Sequence, residues 1–190
     1  MEINKEQADK FDLNWEKACK QMKGLVILGE HKPKDLNFFE KIRINRALSF
    51  FTKGLYIIPD HWQSLFFSGK IYQRMHAHSK SLLCFEKAMR LEKENFNIPL
   101  EASLEAMHLG KIELSINYSS EAIIRNSEDP GVLGNHSMYL LISGRYEEAL
   151  QTIENALSKN KEDKINQKVK EKILNVISGK EEKPHYSIMG

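Results

Sequence analysis

The sequence predicts an all-α protein built as a stack of helical hairpins, and three observations carry that prediction. Pairs of small residues seven apart, Ala47 and Gly54, Ser81 and Ala88, Ser115 and Ala122, Ala149 and Ala156, recur every 34 residues in one register without a gap. Each is followed by a large apolar neighbour, as in Leu48 and Leu55 or Leu150 and Leu157. A second series, Gly69, Ser103 and Ser137, repeats at the same interval in the helical segment ahead of each of the last three pairs. Between the two segments Gly110 and Gly144 share a phase, where a residue tolerant of positive φ ends one helix and turns the chain. A spacing of seven puts two small side chains on one helix face, where a neighbouring helix comes close. The unit is therefore helix, turn, helix.

The elements follow in chain order. Residues 11–29 read as a helix with Trp15, Ala18 and Met22 on one face, and 30–35 as its connection. The second helix of this irregular first hairpin, placed within 5–59 and assigned to an N-terminal region 1–61, runs over 45–59 and stops at Pro59. Three units follow at 62–95, 96–129 and 130–163, with Pro99 and Pro130 where a helix start accepts proline. In 164–179 Ile165, Val169, Ile173 and Ile177 form one stripe opposite lysines, the pattern of a helix that covers the apolar end of a repeat stack. Residues 180–190 read as a flexible tail. About nine helices and no sheet are expected. Gly131 and Gly134 leave two readings open: room for a ligand backbone, or a frayed helix start.

Composition narrows the function classes. Lysine and arginine exceed aspartate and glutamate by 28 to 26, so no strong overall field favours nucleic acid or an anionic membrane. Neither is expected as a partner. Cys19 and Cys84 lack C-x-x-C spacing, the pattern of separate thiols in a reducing compartment. The charged N-terminus carries no apolar core of a signal or anchor, and the expected location is cytoplasmic. No phosphate-binding glycine loop or nucleophile elbow occurs. His76 and His78 sit in a turn without partners at metal-ligand spacing, and His61, His108 and His136 are scattered across units. No catalytic residue, metal or cofactor is expected, and the protein is read as a non-enzyme.

The stretch GRYEEALQTIENAL, with its turn glycine, aromatic and two alanines, resembles the tetratricopeptide repeat (TPR). Trp62, Leu65, Gly69, Tyr72, Ser81, Phe85 and Ala88 carry the same likeness in 62–95. The third unit departs from it, with Ser119 at a usually large position and Ala106 at one commonly aromatic. The resemblance implies a TPR-type right-handed α-α superhelix with a C-terminal capping helix, whose first helices line a concave groove for a partner peptide or helix. By repeat phase the groove residues are Phe66, Lys70, Gln73, Arg74, Leu100, Leu104, Met107, Met138 and Leu141. Leu104 and Met138 stand where carboxylate-clamp arrays carry asparagine, so a clamp is not expected. The implied function is a non-catalytic adaptor or chaperone, with a weaker likeness to the small TPR chaperones of bacterial type III secretion. The alternative is a scaffold subunit of a homo-oligomer or larger assembly, with Trp15, Trp62 and Phe66 as contact residues.

Overall fold

The structure, a computed structural model, describes residues 3–26 and 35–189. Among them are nine α-helices, one short 3₁₀ turn and no strand. They fall into two compact units, Met1–Glu92 and Lys93–Gly190. That boundary divides the three repeats read at 62–163 one against two, a partition that the repeat period does not reveal.

The first unit holds α1 (Lys5–Met22), α2 (Phe38–Ile57), α3 (Trp62–Arg74) and α4 (His78–Leu91). Asn4 caps α1 by accepting from the Gln7 amide while the Gln7 side chain accepts from Asn4 N–H, a reciprocal pair worth about 1 kcal/mol. α1 thus starts before the expected residue 11. It also ends earlier, at Met22, because Gly24 takes φ +76°. Residues 27–34, which include the rest of the expected helix and most of its connection, lie outside the described residues. α2 begins ahead of the expected residue 45 through the same device, Asn37 paired with Glu40. Its last residue, Ile57, comes two before Pro59, which disfavours helical backbone in Ile58. Arg43 donates to the Lys23 carbonyl at 3.1 Å while Phe11 faces Gly54, so α1 and α2 run antiparallel. Trp15 meets Phe51 and Phe67 edge-on at centroid distances of 5.5 and 6.0 Å, binding α1, α2 and α3 into one aromatic core.

The second unit holds α5 (Asn97–His108), α6 (Ile112–Arg125), α7 (Pro130–Ser143), α8 (Tyr146–Lys159) and α9 (Lys164–Ile177), then the 3₁₀ turn Tyr186–Met189. α4, α6 and α8 begin at His78, Ile112 and Tyr146 and end at Leu91, Arg125 and Lys159, 34 residues apart each time. α5 pairs with α6 and α7 with α8, while α7 also packs on α6 and α9 on both α7 and α8. The core joins Met107, Ile116, Tyr139, Leu141, Ile153 and Ile173. α9 ends two residues before the expected 179, where Gly179 takes φ +71°.

Every small residue singled out by the period is buried. Ser81 Oγ donates to the Gly69 carbonyl and Ser137 Oγ to the Ala149 carbonyl, both at 2.9 Å. These are the same two repeat positions with the donor exchanged between helices. A Cβ on Gly69 would stand 2.7 Å from the Phe85 ring. Gly69→Val should therefore lower stability by about 1–3 kcal/mol, read as a lower denaturation midpoint with the helical circular-dichroism signal retained. An unchanged midpoint would mean that the two helices are not this close.

The turn phase carries a further residue. His76 takes φ +56° at the position that Gly110 (+70°) and Gly144 (+92°) fill in later hairpins. A side chain in left-handed backbone costs roughly 1–2 kcal/mol. His76→Gly is expected to raise the melting temperature by about 2–4 °C, measured by differential scanning calorimetry.

Candidate protein-interaction surface

The residues expected at a groove divide by depth. In the first unit Phe66 is buried, its ring 5.6 Å from Phe85 and 5.5 Å from Phe67. Lys70 is only 6% exposed. Arg74 Nε donates to the Leu25 carbonyl at 3.3 Å, tying the end of α3 to the turn after α1. Gln73 is half-buried. In the second unit Met107 and Leu141 are fully buried in the core, which corrects their placement at a contact surface: they face the repeat's own packing. Leu100 and Leu104, one turn apart on α5, remain partly exposed, as does Met138 on α7 at the repeat phase of Leu104. Trp15, expected at an outer contact, belongs to the aromatic core of the first unit.

Two features escaped the sequence reading. Ser119 Oγ lies 2.7 Å from His136 Nδ1 and also reaches the Ser115 and Ile116 carbonyls. The imidazole of α7 so fills the room left on α6 by a serine at a usually large position. Ser119 is fully buried and His136 half-buried, so the hydroxyl lies beneath the imidazole as a packing contact between α6 and α7. The second feature is the segment after α9, which corrects the flexible tail expected over 180–190. Glu181 accepts from Lys172 and Asn175, Pro184 is buried, and the Tyr186 ring covers the α5–α6 turn so closely that a Cβ on Gly110 would meet it at 3.0 Å. Where this segment passes the α7–α8 turn, an open cleft of about 540 Å³ is lined by Lys111, Glu113, Ile142, Ser143 and Lys183. Pro184 and Tyr186 were the available signal for this return.

Neither a protein-family model nor a curated protein sequence matches the chain. Solved structures do. MamA (41-end) from Desulfovibrio magneticus RS-1 aligns over 90% of this chain and 86% of its own with a TM-score of 0.74 at 10% identity. YrrB, described as a TPR protein with an unusual peptide-binding site, aligns over 96% of this chain and 88% of its own with a TM-score of 0.67 at 18% identity. The first TPR of Spaghetti (RPAP3), solved bound to the HSP90 peptide SRMEEVD, aligns over 62% of this chain and 93% of its own with a TM-score of 0.59 at 16% identity. The chain has the tetratricopeptide repeat fold.

Leu100, Leu104 and Met138 keep part of their surface exposed on α5 and α7, Met138 while also packing on the core. The packing also shifts the titration of two histidines. Burial pushes the His136 imidazole below its ordinary value, with Glu148 opposing and Arg145 reinforcing the shift, and burial likewise lowers His61 beside Phe11 and Trp15. A lowered folded pKa means that the unfolded chain takes up protons first as pH falls, so the histidines' contribution is intact above about 6.5 and declines below it. Urea midpoints should fall from pH 7.5 towards pH 5, and His136→Asn should make that fall shallower. A wild-type midpoint flat over this range would contradict the assignment.

Proposed function

We propose that this chain is a non-catalytic protein-interaction module, an adaptor or chaperone, that holds a peptide or helix of a partner protein on the free faces of its first helices. The observation that carries the reading is the half-exposure of Leu100, Leu104 and Met138 beside the fully buried Met107 and Leu141. Apolar side chains left partly exposed offer at most roughly 1.5–3 kcal/mol each when a ligand covers them, less for Met138, which already packs on the core. Methionine adapts to ligands of different shape. The peptide-binding descriptions of YrrB and of the RPAP3 domain support the same mode. A carboxylate clamp does not fit, because Leu104 and Met138 offer a terminal carboxylate no donor. The free thiols of Cys19 and Cys84 suit a cytoplasmic setting, and burial pushes Cys84 up to about 11, leaving it unreactive.

A scaffold subunit is the second reading, favoured by the exposed Leu83 of α4 and Ile124 of α6. Light scattering over a range of concentrations separates the two, because a tight homo-oligomer supports the scaffold.

Peptides selected from a displayed random library should bind the wild type, and Leu104→Glu with Met138→Glu should weaken them by about 30-fold or more in fluorescence polarisation, with helicity unchanged. Equal binding by the double variant would exclude this surface.

A further inference from the structure

The first hairpin carries more helix than the repeat requires. α2 ends in phase with α4, α6 and α8, yet it starts six residues before their phase, at Phe38 rather than Ile44. Those extra turns bury little: Phe38 is 71% exposed, Phe39 75%, and Ile42 is exposed beside them. The two rings contact each other edge-on at 5.7 Å. The Arg43 bond to Lys23 brings the end of α1 alongside α2, so this end of the hairpin carries Lys20, Lys23, Lys41 and Arg43. Asp35 and Glu40 are the acidic residues in 20–26 and 35–43, and Glu40 accepts from the amide of its own helix cap. A molecule whose summed charge is +2 thus carries four cations at the same end of the hairpin as an exposed aromatic pair.

We propose that this tip docks on an anionic lipid bilayer surface, with Phe38 and Phe39 entering the headgroup boundary and the surrounding lysines and arginines set against lipid phosphates and carboxylates. Exposed aromatics ringed by cations are the chemistry of interfacial attachment. The rings belong to the first two residues of α2 and stand largely exposed, free to enter a fluid layer. The attachment is peripheral: among the described residues no helix is long and apolar enough to cross a membrane. It departs from the expectation of no membrane partner, which rested on summed charge and on an N-terminus without an apolar anchor.

Co-flotation of the full chain tests this, with phosphatidylcholine vesicles carrying phosphatidylserine against phosphatidylcholine alone. Binding is expected only with the anionic lipid and should fall steeply as salt rises. Phe38→Ser with Phe39→Ser, and separately Lys20→Glu with Lys41→Glu, should each weaken partitioning about ten-fold or more. All four side chains are exposed, so the melting temperature serves as the check on folding. No flotation at low salt, equal flotation with both vesicles, or full flotation of the Phe38/Phe39 variant would overturn the proposal. Competition by soluble polyglutamate that removes the chain from vesicles while the Phe38/Phe39 variant floats normally would assign the tip to an acidic protein instead.

Discussion

Two helices cross closely only where neither brings a bulky side chain to the crossing, and the rest of this structure depends on that constraint. Gly69 and Ser81 meet it in one hairpin, Ser103 and Ser115 in the next, Ser137 and Ala149 in the last. Serine there does two things at once. It is small enough to pass, and its hydroxyl needs a partner because the crossing excludes water. A backbone carbonyl of the opposite helix provides one in the first and last of these hairpins. Since either helix can be the donor, serine may sit on one side in one repeat and on the other side in another without altering the packing.

The α5–α6 hairpin keeps the crossing and changes what surrounds it. Ser103 Oγ turns to the Leu100 carbonyl of its own helix, and Ser115 Oγ is left buried without a partner, at a cost of about 1–3 kcal/mol. Tyr139 is fully buried next to Ser103, and burial pushes its hydroxyl up to about 12. Ala106 and Ser119 vacate volume that neighbouring repeats fill with larger side chains, and the His136 imidazole of α7 occupies part of it. The space a repeat lacks is supplied from the next one, which makes α6 and α7 interdependent.

Small residues were legible in the sequence because their period is a consequence of geometry: each repeat must present the same gap at the same turn. Cap-driven helix starts were not, since Asn4 with Gln7 and Asn37 with Glu40 lie outside the repeating pattern and only local hydrogen bonding reveals them. The candidate surface was half legible for a related reason. Repeat phase gives the direction in which a side chain leaves its helix, but depth depends on what the neighbouring element puts there. Lys70, Leu104 and Met138 share a phase, yet the lysine is buried and the other two are partly exposed. Met107 and Leu141 share another, and both disappear into the core.

Termination of the repeat shows the same reasoning run in reverse. α9 starts at Lys164, 34 residues after Pro130, so it occupies the phase of a first helix, and among the described residues after it only a short 3₁₀ turn forms. At the position of Ser137 it carries Glu171, and at that of Leu133 it carries Gln167, both exposed. A long polar side chain at the crossing point blocks the close approach that another hairpin would need, whether from this chain or from another copy. The inner side of α9 is as specific as its outer side. Asn166 donates to the Pro130 carbonyl at 3.0 Å, and its side-chain oxygen lies where a Cβ on residue 134 would be, so Gly134 makes room for the capping helix rather than for a ligand. The chain then returns along the turns, setting Tyr186 against Gly110, and so covers with aromatic surface an edge that a further repeat would not have reached.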